Sequence, residues 1–373
     1  MIRVGIMSMQ RIANYGSFLQ AYGLKCILQE LGCAVEFVDY HPGKVLISAK
    51  SSKGIFRKLN KAVEAIKYQA PLKDRICYIR YKKNYAKRYL PYLGIGEEKN
   101  YAPEVDVLII GSDEVFNCVQ DNVNVGFSPE LFGEGNRAKR LITYAASFGN
   151  TTIEKMQMHG VDKQVKAWLS RFDAISVRDD NSGIVIEKLT GKKPEYHFDP
   201  VLVYDYIGRC KELPNGVTES EYMILYGYSG RFTKEECNEI RNYAKKKMLK
   251  VLCFGGIQEC CDKYIDCNPF QLIAYFQHAK YVITDTFHGT ILSIITHRPF
   301  VSFVRDNGYG NSEKLIDLLR KLCLEKQRIM KTSELDNILD QEIDYEDADR
   351  IIEIERKRTR EYLANQIGRN VIL

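Results

Sequence analysis

Short apolar segments alternate with longer helical patterns along most of the chain, and this alternation constrains the fold more than any other sequence feature. The segment Val105–Gly111 is apolar apart from one aspartate, as expected for a central strand of a parallel sheet. Leu141–Ser147 and Ala174–Arg178 repeat this pattern, with a helical segment near Val161–Arg171 between them. Strands of this kind separated by helices predict an α/β protein whose sheets are parallel.

The first forty residues predict a strand, a helix and a second strand. Residues 3–8 form a short apolar strand, and a helix is predicted from Ser17 to Leu31. Ser17 is a suitable N-cap for this helix, and Gly32 stands where a helix ends. Val35–Tyr40 then predicts the next strand, so the chain begins with the βαβ arrangement of a Rossmann-like domain.

At 373 residues the chain is long enough for two domains. The α/β pattern weakens between Pro200 and Pro214 and resumes at the strand Tyr222–Tyr226, so we predict a domain boundary near residue 205. The predicted organisation is an N-terminal Rossmann-like domain over residues 1–205, a second one over residues 206–344, and a helix over residues 345–368 that packs back on the first. Ligands bind at the carboxyl ends of the strands in such sheets, so we expect the two domains to face a cleft.

A basic segment over residues 44–100 interrupts the α/β pattern. Between Lys44 and Lys99 there are fifteen lysines and arginines and four acidic residues, whereas the net charge of the whole chain is only +6. The helical pattern of this segment, punctuated by Pro71 and Pro91, predicts an inserted helical pair. Its charge favours an anionic partner such as a membrane surface, and a solvated helical face is the alternative.

The composition favours a cytoplasmic protein without a metal site. Met1–Met7 has the pattern of a buried strand rather than of a signal peptide, and no apolar run reaches the roughly 18 residues that could span a membrane. The eleven cysteines are spaced irregularly, which favours reduced thiols over a disulfide framework. The densest group, Cys253, Cys260, Cys261 and Cys267, lacks the CxxC pairs of a zinc site. No nucleic-acid partner is predicted.

The segment Thr284–Thr290 contains the strongest candidate for catalysis. A strand predicted over Tyr281–Asp285 ends here and a helix is predicted from Gly289, so His288 lies at a strand-to-helix turn. A histidine that titrates near neutral pH suits proton transfer, and the amides of Gly289 and Thr290 would offer an anion site at a helix N-terminus. A histidine that only caps the helix is the alternative.

Two further candidates follow apolar strands in the N-terminal half. Arg178, in the segment Ser176–Ser182, could bind a carboxylate or phosphate through two of its guanidinium nitrogens, while Asp179 beside it could be an N-cap. Asp113, in the segment Gly111–Asn117, could act as a base or bind a hydroxyl, and an N-cap is again the alternative.

Two other places near predicted strand ends carry weaker signals. The turn Asn14–Gln20 lies where Rossmann folds hold phosphates, but it has neither a GxGxxG motif nor a Walker lysine. Asp199 precedes Pro200 and is therefore extended, which would direct its side chain towards the predicted hinge. A simple turn at Asp199 is the alternative.

Taken together, these segments resemble the polysaccharide pyruvyl transferase family, and they occur in the family's order over nearly the whole chain. The matching pieces are Asn14-Tyr15-Gly16 with Gln20, Gly111-Ser112-Asp113 with Asn117, Tyr144–Gly149, Val177-Arg178-Asp179, Asp199-Pro200 and Thr284–Gly289. The basic insert is similar to that of the family's exopolysaccharide branch. The resemblance implies a fold like the two-domain glycosyltransferase B architecture.

The implied reaction transfers the enolpyruvyl unit of phosphoenolpyruvate to sugar hydroxyls as a cyclic ketal and releases phosphate, with no metal or redox cofactor. His288 corresponds to the family's histidine and is the expected acid, and Arg178 corresponds to its arginine and is expected to bind one anionic group of the donor. We expect these two residues to converge on one small anion, with the amides of Gly289 and Thr290 on the phosphate and Asp113 as base or hydroxyl-orienter. The other residues predicted to bind substrate are Asn14, Gln20, Asp179, Asp199, Asp285 and Thr286.

One position departs from the family pattern. Some members carry arginine two residues before the histidine, where this chain has Thr286, so a donor-binding cation is missing there. Arg305, Lys314 or Arg11 could replace it. The expected acceptor is a sugar of a surface-polysaccharide precursor on a lipid carrier at the inner membrane face. The alternatives are a nucleotide-sugar-dependent glycosyltransferase of the same architecture and a non-catalytic sugar-binding protein.

Overall fold

The computed structural model describes residues 1–47, 70–305 and 312–368. These residues form two compact units, called unit 1 and unit 2. Unit 1 comprises residues 1–47, 90–204 and 350–368, and unit 2 comprises residues 70–89, 205–305 and 312–349. The predicted N-terminal domain contained the whole basic segment, whereas the described part of that segment is divided between the two units.

A parallel sheet of six strands forms the centre of unit 1. Its strands are β1 (Arg3–Met7), β2 (Ala34–Phe37), β3 (Val107–Asp113), β4 (Arg140–Ala146), β5 (Ser176–Val177) and β6 (Glu195–Tyr196), in the spatial order β2-β1-β3-β4-β5-β6. All seven residues of β3 are buried between β1 and β4, as its apolar sequence predicts. The edge strand β6 is exposed at both residues, which explains why no apolar pattern revealed it.

The first helix of unit 1 begins two residues earlier than predicted. The helices of this unit are α1 (Tyr15–Glu30), α3 (Ile153–Met158), α4 (Asp162–Leu169), α5 (Asp180–Thr190), α6 (Pro200–Val203), a 3₁₀ turn (Pro129–Phe132), and most of α13 (Glu346–Gln366). Asn14, not Ser17, is the N-cap of α1, because Oδ1 of Asn14 accepts a hydrogen bond from the Gly16 amide at 2.7 Å. Ser17 therefore lies inside the helix, where its hydroxyl takes another role.

The C-terminal helix contributes side chains to the core of unit 1. The hydroxyl of Tyr362 donates to the backbone carbonyl of Thr143 at 2.8 Å, and the hydroxyls of Thr359 and Tyr144 lie 2.9 Å apart. All three hydroxyl groups are buried, so residues 350–368 are held to β4 by polar as well as apolar contacts.

Unit 2 is built on a second parallel sheet of six strands. Its strands are β7 (Tyr222–Tyr226), β8 (Lys250–Phe254), β9 (Lys263–Tyr264), β10 (Val282–Thr284), β11 (Phe300–Phe303) and β12 (Arg328–Ile329), in the order β12-β11-β10-β7-β8-β9. The bounds of β7 are those predicted from the sequence. The two parallel sheets confirm the predicted α/β class with two Rossmann-like units.

The basic segment supplies one long helix, most of which belongs to unit 2. This helix is α2 (Leu72–Leu93), whose residues up to Tyr89 belong to unit 2. The other helices of this unit are α7 (Tyr206–Arg209), α8 (Lys234–Lys246), α9 (Pro269–His278), α10 (Phe287–Ile295), α11 (Ser312–Lys321), α12 (Leu335–Leu339) and the 3₁₀ turns Glu325–Gln327 and Thr332–Glu334. The sequence predicted a pair of helices in this segment. The structure shows α2, and residues 48–69 lie outside the described residues.

Three general properties can be stated for the described part of the chain. It contains no helix that is both long and apolar enough to cross a bilayer. Within the same residues, no three or more His, Cys, Asp or Glu side chains are grouped so that they could hold a metal ion. No pair of its cysteines forms a disulfide.

Candidate active site

In unit 2 the motif predicted for catalysis lies at the carboxyl end of β10. The strand ends at Thr284, and α10 begins at Phe287 because Thr286 is its N-cap, with Oγ1 accepting a hydrogen bond from the Gly289 amide at 3.0 Å. The predicted start at Gly289 was two residues late. His288 consequently lies in the first helical turn, and it is partly exposed rather than enclosed in the core.

Gly289 lets the first turn of α10 approach the sheet closely. A Cβ atom at this position would lie 2.2 Å from Oγ1 of Thr284 and 2.7 Å from both Oγ1 of Thr286 and Cδ1 of Tyr226. The hydroxyl of Thr284 is itself fixed, since it donates to the carbonyl of Tyr226 at 2.8 Å. Glycine is therefore required for the position in which the helix presents His288.

The amides of Gly289 and Thr290 both donate hydrogen bonds within the first turn of α10. The Gly289 amide donates to Oγ1 of Thr286, and the Thr290 amide donates to the carbonyl of Thr286 at 3.1 Å. Both amides are thus used within the first turn of α10, so a phosphate cannot bind through them while these bonds are kept. The hydroxyl of Thr290 is also engaged, with the Ser302 hydroxyl at 2.6 Å.

Asp285, the last residue of the predicted strand and the first residue after β10, is a buried carboxylate between two arginines. Its Oδ2 lies 3.3 Å from Nη1 of Arg231 and 3.7 Å from Nε of Arg305. Burial favours the neutral acid and raises the pKa of Asp285 to about 6, although the two arginines act in the opposite direction. Its second oxygen, Oδ1, accepts no hydrogen bond from any residue that the structure describes.

Arg305 is held rigidly beside Asp285. Its Nη1 and Nη2 donate to the two carboxylate oxygens of Glu236 at 2.9 and 3.1 Å, and its guanidinium lies over the rings of Phe303 and Phe232. Glu236 also completes the capping box of α8, so this helix fixes the orientation of the pair.

Arg231 is a candidate that the sequence analysis missed. It belongs to the loop after β7, the sheet neighbour of β10, and its guanidinium lies over the ring of Tyr228. The rule that ligands bind at strand carboxyl ends applies to this loop as it does to the His288 motif. An arginine five residues beyond a well-predicted strand was therefore a usable signal.

The other two proposed replacements for a cation at Thr286 are Arg11 and Lys314. Arg11 belongs to unit 1, where Nε and Nη2 donate to the carboxylate of Asp39 at 2.5 and 2.8 Å. Lys314 is buried on α11. Arg305 and Arg231 are thus the arginines that the structure places beside the motif, both within 4 Å of Asp285.

In unit 1 Arg178 joins two of the other predicted residues. Its Nη1 donates to Oδ2 of Asp199 at 2.6 Å, and its Nη2 lies 3.4 Å from Oδ1 of Asp113. Burial favours the neutral guanidine, but the carboxylates of Asp199, Asp113 and Asp179 outweigh it and raise the pKa of Arg178. The side chain of Arg178 is only 2% exposed, so these carboxylates are its immediate environment.

Asp113 is the more accessible member of this group. Its side chain is 12% exposed, against 0% for Asp199, and Oδ2 accepts a hydrogen bond from the Ser17 hydroxyl at 2.8 Å. Its backbone has φ = 74°, in the left-handed region that non-glycine residues rarely adopt. Such backbone strain occurs preferentially at functional sites and supports a role for this aspartate beyond helix capping.

The remaining predicted residues of unit 1 have different roles. Gln20 is buried and donates to the Ser8 hydroxyl and the Ser17 carbonyl, both at 2.9 Å, which links it to the Asp113 group. Asp179 is the N-cap of α5 and accepts from the Ser147 hydroxyl at 2.6 Å. Asn14 caps α1. Arg178, Asp113, Asp199 and Gln20 therefore form one polar cluster, whereas Asn14 and Asp179 serve mainly as helix caps.

The two clusters lie in different units, each at the carboxyl ends of parallel strands. His288 and Asp285 belong to unit 2, and Arg178 and Asp113 belong to unit 1. The convergence of His288 and Arg178 on one anion, across a cleft, stays a prediction.

Comparison with known structures supports the fold. S. aureus MnaA in complex with UDP is similar to this chain with a TM-score of 0.52 and 8% identity, covering 99% of this chain and 96% of MnaA. A Listeria monocytogenes protein provisionally assigned as a UDP-N-acetylglucosamine 2-epimerase is similar with a TM-score of 0.50 and 10% identity over the full length of both chains. A Thermobaculum terrenum O-GlcNAc transferase mutant has a TM-score of 0.41 and 13% identity, and the match covers 98% of this chain but only 65% of that protein. These similarities agree with the predicted fold of two Rossmann-like units.

Sequence comparison identifies the family. No curated protein matches the chain. The family profile described as polysaccharide pyruvyl transferase matches residues 14–307, which include every predicted site residue and both clusters described above. Membership of this family indicates a transferase, which agrees with the clusters of acidic and basic side chains at the strand ends. The chain therefore belongs to the polysaccharide pyruvyl transferase family.

Proposed function

We propose that the protein transfers the pyruvyl group of phosphoenolpyruvate to two hydroxyls of one sugar, which forms a cyclic ketal and releases phosphate. The observation that carries this proposal is the position of His288, partly exposed in the first turn of α10 and three residues after a buried carboxylate with two arginines, in a chain of this family. Such an arrangement suits proton transfer to a small anionic substrate.

The reaction balances without a cofactor. A proton added to the methylene carbon of phosphoenolpyruvate makes a methyl group and leaves the neighbouring carbon electrophilic. One sugar hydroxyl attacks this carbon and loses its proton, the bond to phosphate breaks, and the second hydroxyl closes the ketal. Of the two hydroxyl protons, one balances the new methyl group and the other leaves on phosphate. The site therefore needs one acid and one base.

We assign the acid role to His288 and the role of base or hydroxyl-orienter to Asp113. The donor carries a carboxylate and a phosphate, and we propose that Arg231 and Arg305 supply the positive charge that Thr286 does not. The guanidinium of Arg178 holds Asp113 in place, because its two terminal nitrogens donate to Asp199 and to Asp113. Direct contact of Arg178 with the donor stays a prediction.

The proposed acceptor is a sugar of a surface-polysaccharide precursor carried on a lipid. The family's description supports a polysaccharide-related sugar as acceptor. An acceptor on a lipid carrier requires that the protein work at a membrane surface.

The reaction is tested by phosphate release from phosphoenolpyruvate in the presence of a panel of glycosides, with the ketal product identified by NMR. His288→Gln should lower the rate about 10²–10⁴-fold, since that is the usual contribution of a general acid. His278→Gln, at an exposed position of the same unit, is the matched control and should keep the wild-type rate.

Two results would contradict the proposal. The first is a folded His288→Gln protein whose rate stays within threefold of wild type. The second is consumption of nucleotide sugars with no phosphate released from phosphoenolpyruvate, which would favour a glycosyltransferase instead.

A further inference from the structure

The long helix α2 has one face packed in unit 2 and one face directed to solvent. Tyr81, Tyr85 and Tyr89 are buried, and the ring of Tyr81 packs against that of Tyr264 at 6.1 Å. Asp74, the one acidic residue of the helix, is buried on this same side and accepts a hydrogen bond from the Tyr264 amide at 3.0 Å. The inner face of α2 is therefore fully used by its own unit.

The outer face begins with an apolar stripe that the described residues leave uncovered. Leu72, Ile76 and Ile79 are 70%, 50% and 56% exposed. Their spacing of four and three residues places them on the same side of the helix over its first two turns. Large aliphatic side chains exposed side by side mark an interaction surface more often than isolated ones do.

The same face continues with positive charge. Lys83 and Lys87 follow the stripe at helical spacing and are exposed, and Lys73 and Arg80 flank it. The helix as a whole has seven lysines and arginines against the buried Asp74, a net charge of +6 that equals that of the entire chain. An anionic surface is the complement that this charge favours.

We propose that the outer face of α2 docks on an anionic lipid surface, with the apolar stripe inserted among the lipid chains and the lysines on the headgroups. Lipid is the occupant we favour because aliphatic residues bordered by basic ones on a helix surface, without acidic residues among them, suit an interface that is apolar below and negative above. This inference goes beyond the transfer reaction, and binding can be measured with no substrate present, so either proposal can fail alone.

The test measures co-sedimentation of the full-length protein with vesicles of phosphatidylcholine alone and with 30% phosphatidylglycerol. Binding is expected only to the anionic vesicles and should weaken steeply from 0.05 to 0.5 M salt. Lys83→Ala with Lys87→Ala should weaken it about 25-fold, at roughly fivefold for each basic residue near the surface. Ile76→Ser with Ile79→Ser should weaken it at least about tenfold through lost apolar burial.

Matched controls remove two exposed lysines and two exposed large apolar side chains from other elements. Lys192→Ala with Lys193→Ala and Met158→Ser with Met248→Ser change exposed residues outside α2, and both pairs should bind as wild type does. All variants change exposed positions, and their melting temperatures should confirm that they fold.

Three outcomes would overturn the proposal. One is equal binding to neutral and anionic vesicles. Another is control pairs that weaken binding as much as the α2 pairs do. The third is a concentration-dependent dimer in solution that Ile76→Ser with Ile79→Ser abolishes, because the stripe would then be covered by a second copy of the chain.

Discussion

The guanidinium of Arg178 donates a 2.6 Å hydrogen bond to Oδ2 of Asp199, a carboxylate with no exposed surface on its side chain. Asp199 also accepts from the Ser112 hydroxyl at 3.1 Å and from the Val201 amide at 3.0 Å, so three parts of unit 1 meet on it. The pair therefore joins the end of β3 to the segments that follow β5 and β6, and Nη2 of Arg178 lies 3.4 Å from the carboxylate of Asp113. We expect the pair to position the carboxylate of Asp113.

Arg178→Met should destabilise unit 1 and also lower turnover. Removing one partner of a buried ion pair leaves the other charge uncompensated, which costs about 3–5 kcal/mol of unfolding free energy. Asp199→Asn alone should cost a similar amount, but the double variant should cost clearly less than the sum, with a coupling of about 2 kcal/mol. Urea unfolding of the four proteins measures this coupling. Additive effects within about 0.5 kcal/mol would show that the pair is not a unit.

Asp285 should make the stability of unit 2 depend on pH in the acid range. Its pKa is raised from 3.8 to about 6, so the folded protein binds a proton that the unfolded chain releases between these values. The stabilising contribution of this proton is fully present below pH 3.8 and is lost as the pH rises through about 6, a change of about 3 kcal/mol. Asp285→Asn cannot titrate and should gain stability relative to wild type over this window.

Unfolding of wild type and Asp285→Asn should therefore be measured from pH 4 to pH 7.5. The difference between their unfolding free energies is the quantity to follow, because it cancels the titration of every other group. A difference that stays constant over this range would contradict the assigned shift.

The architecture was largely predictable because both sheets are parallel and buried. Strands such as Tyr222–Tyr226 and Lys250–Phe254 are covered on both faces, so their apolar runs define their bounds. The two-residue edge strands β6, β9 and β12 were missed, since Glu195–Tyr196 and its counterparts are too short to produce an apolar period. Helix starts were displaced where a cap, such as Asn14 or Thr286, was not recognised.

The positions of the site residues were predicted better than their partners. Strand-end reasoning located His288, Asp113 and Arg178, because the carboxyl ends of parallel strands lie on one edge of each sheet. It could not reveal that Arg178 binds Asp199, since their proximity depends on packing between loops far apart in sequence. Arg231 is the opposite case. It follows the carboxyl end of a predicted strand, so the strand-end rule could have identified it, but the rule was not applied to this loop.

Gly289→Ala tests whether the close approach of α10 to the sheet positions His288. The added methyl would meet Oγ1 of Thr284 at 2.2 Å, and this hydroxyl is bonded to a strand carbonyl and cannot move away. We expect a loss of about 1–3 kcal/mol of stability from overpacking, together with lower turnover. Gly216→Ala, where the methyl would meet nothing within 4 Å, is the control and should be neutral or slightly stabilising. Equal effects of the two substitutions on thermal melting would contradict this reading.

His197 should make unit 1 sensitive to acid, in the opposite sense to Asp285. Burial, with a smaller effect of Arg358, lowers the pKa of His197 from 6.5 to about 4, and its Nδ1 lies 2.9 Å from the Ser176 hydroxyl. The folded protein therefore keeps this ring neutral where the unfolded chain protonates it. The resulting stability is fully present above pH 6.5 and is lost as the pH falls through about 4, a change of about 3 kcal/mol.

His197→Phe keeps an aromatic ring against Tyr362, whose ring centroid lies 4.6 Å away, but removes the titrating group. The difference in unfolding free energy between wild type and this variant, measured from pH 7.5 to pH 4, should shift in favour of the variant as the pH falls. The variant lacks the hydrogen bond to Ser176 at every pH. This loss shifts its curve of unfolding free energy against pH by a constant amount and does not change the slope relative to wild type. Parallel curves over this range would show that the ring of His197 titrates alike in the folded and unfolded states, and the acid sensitivity of unit 1 would then need another source.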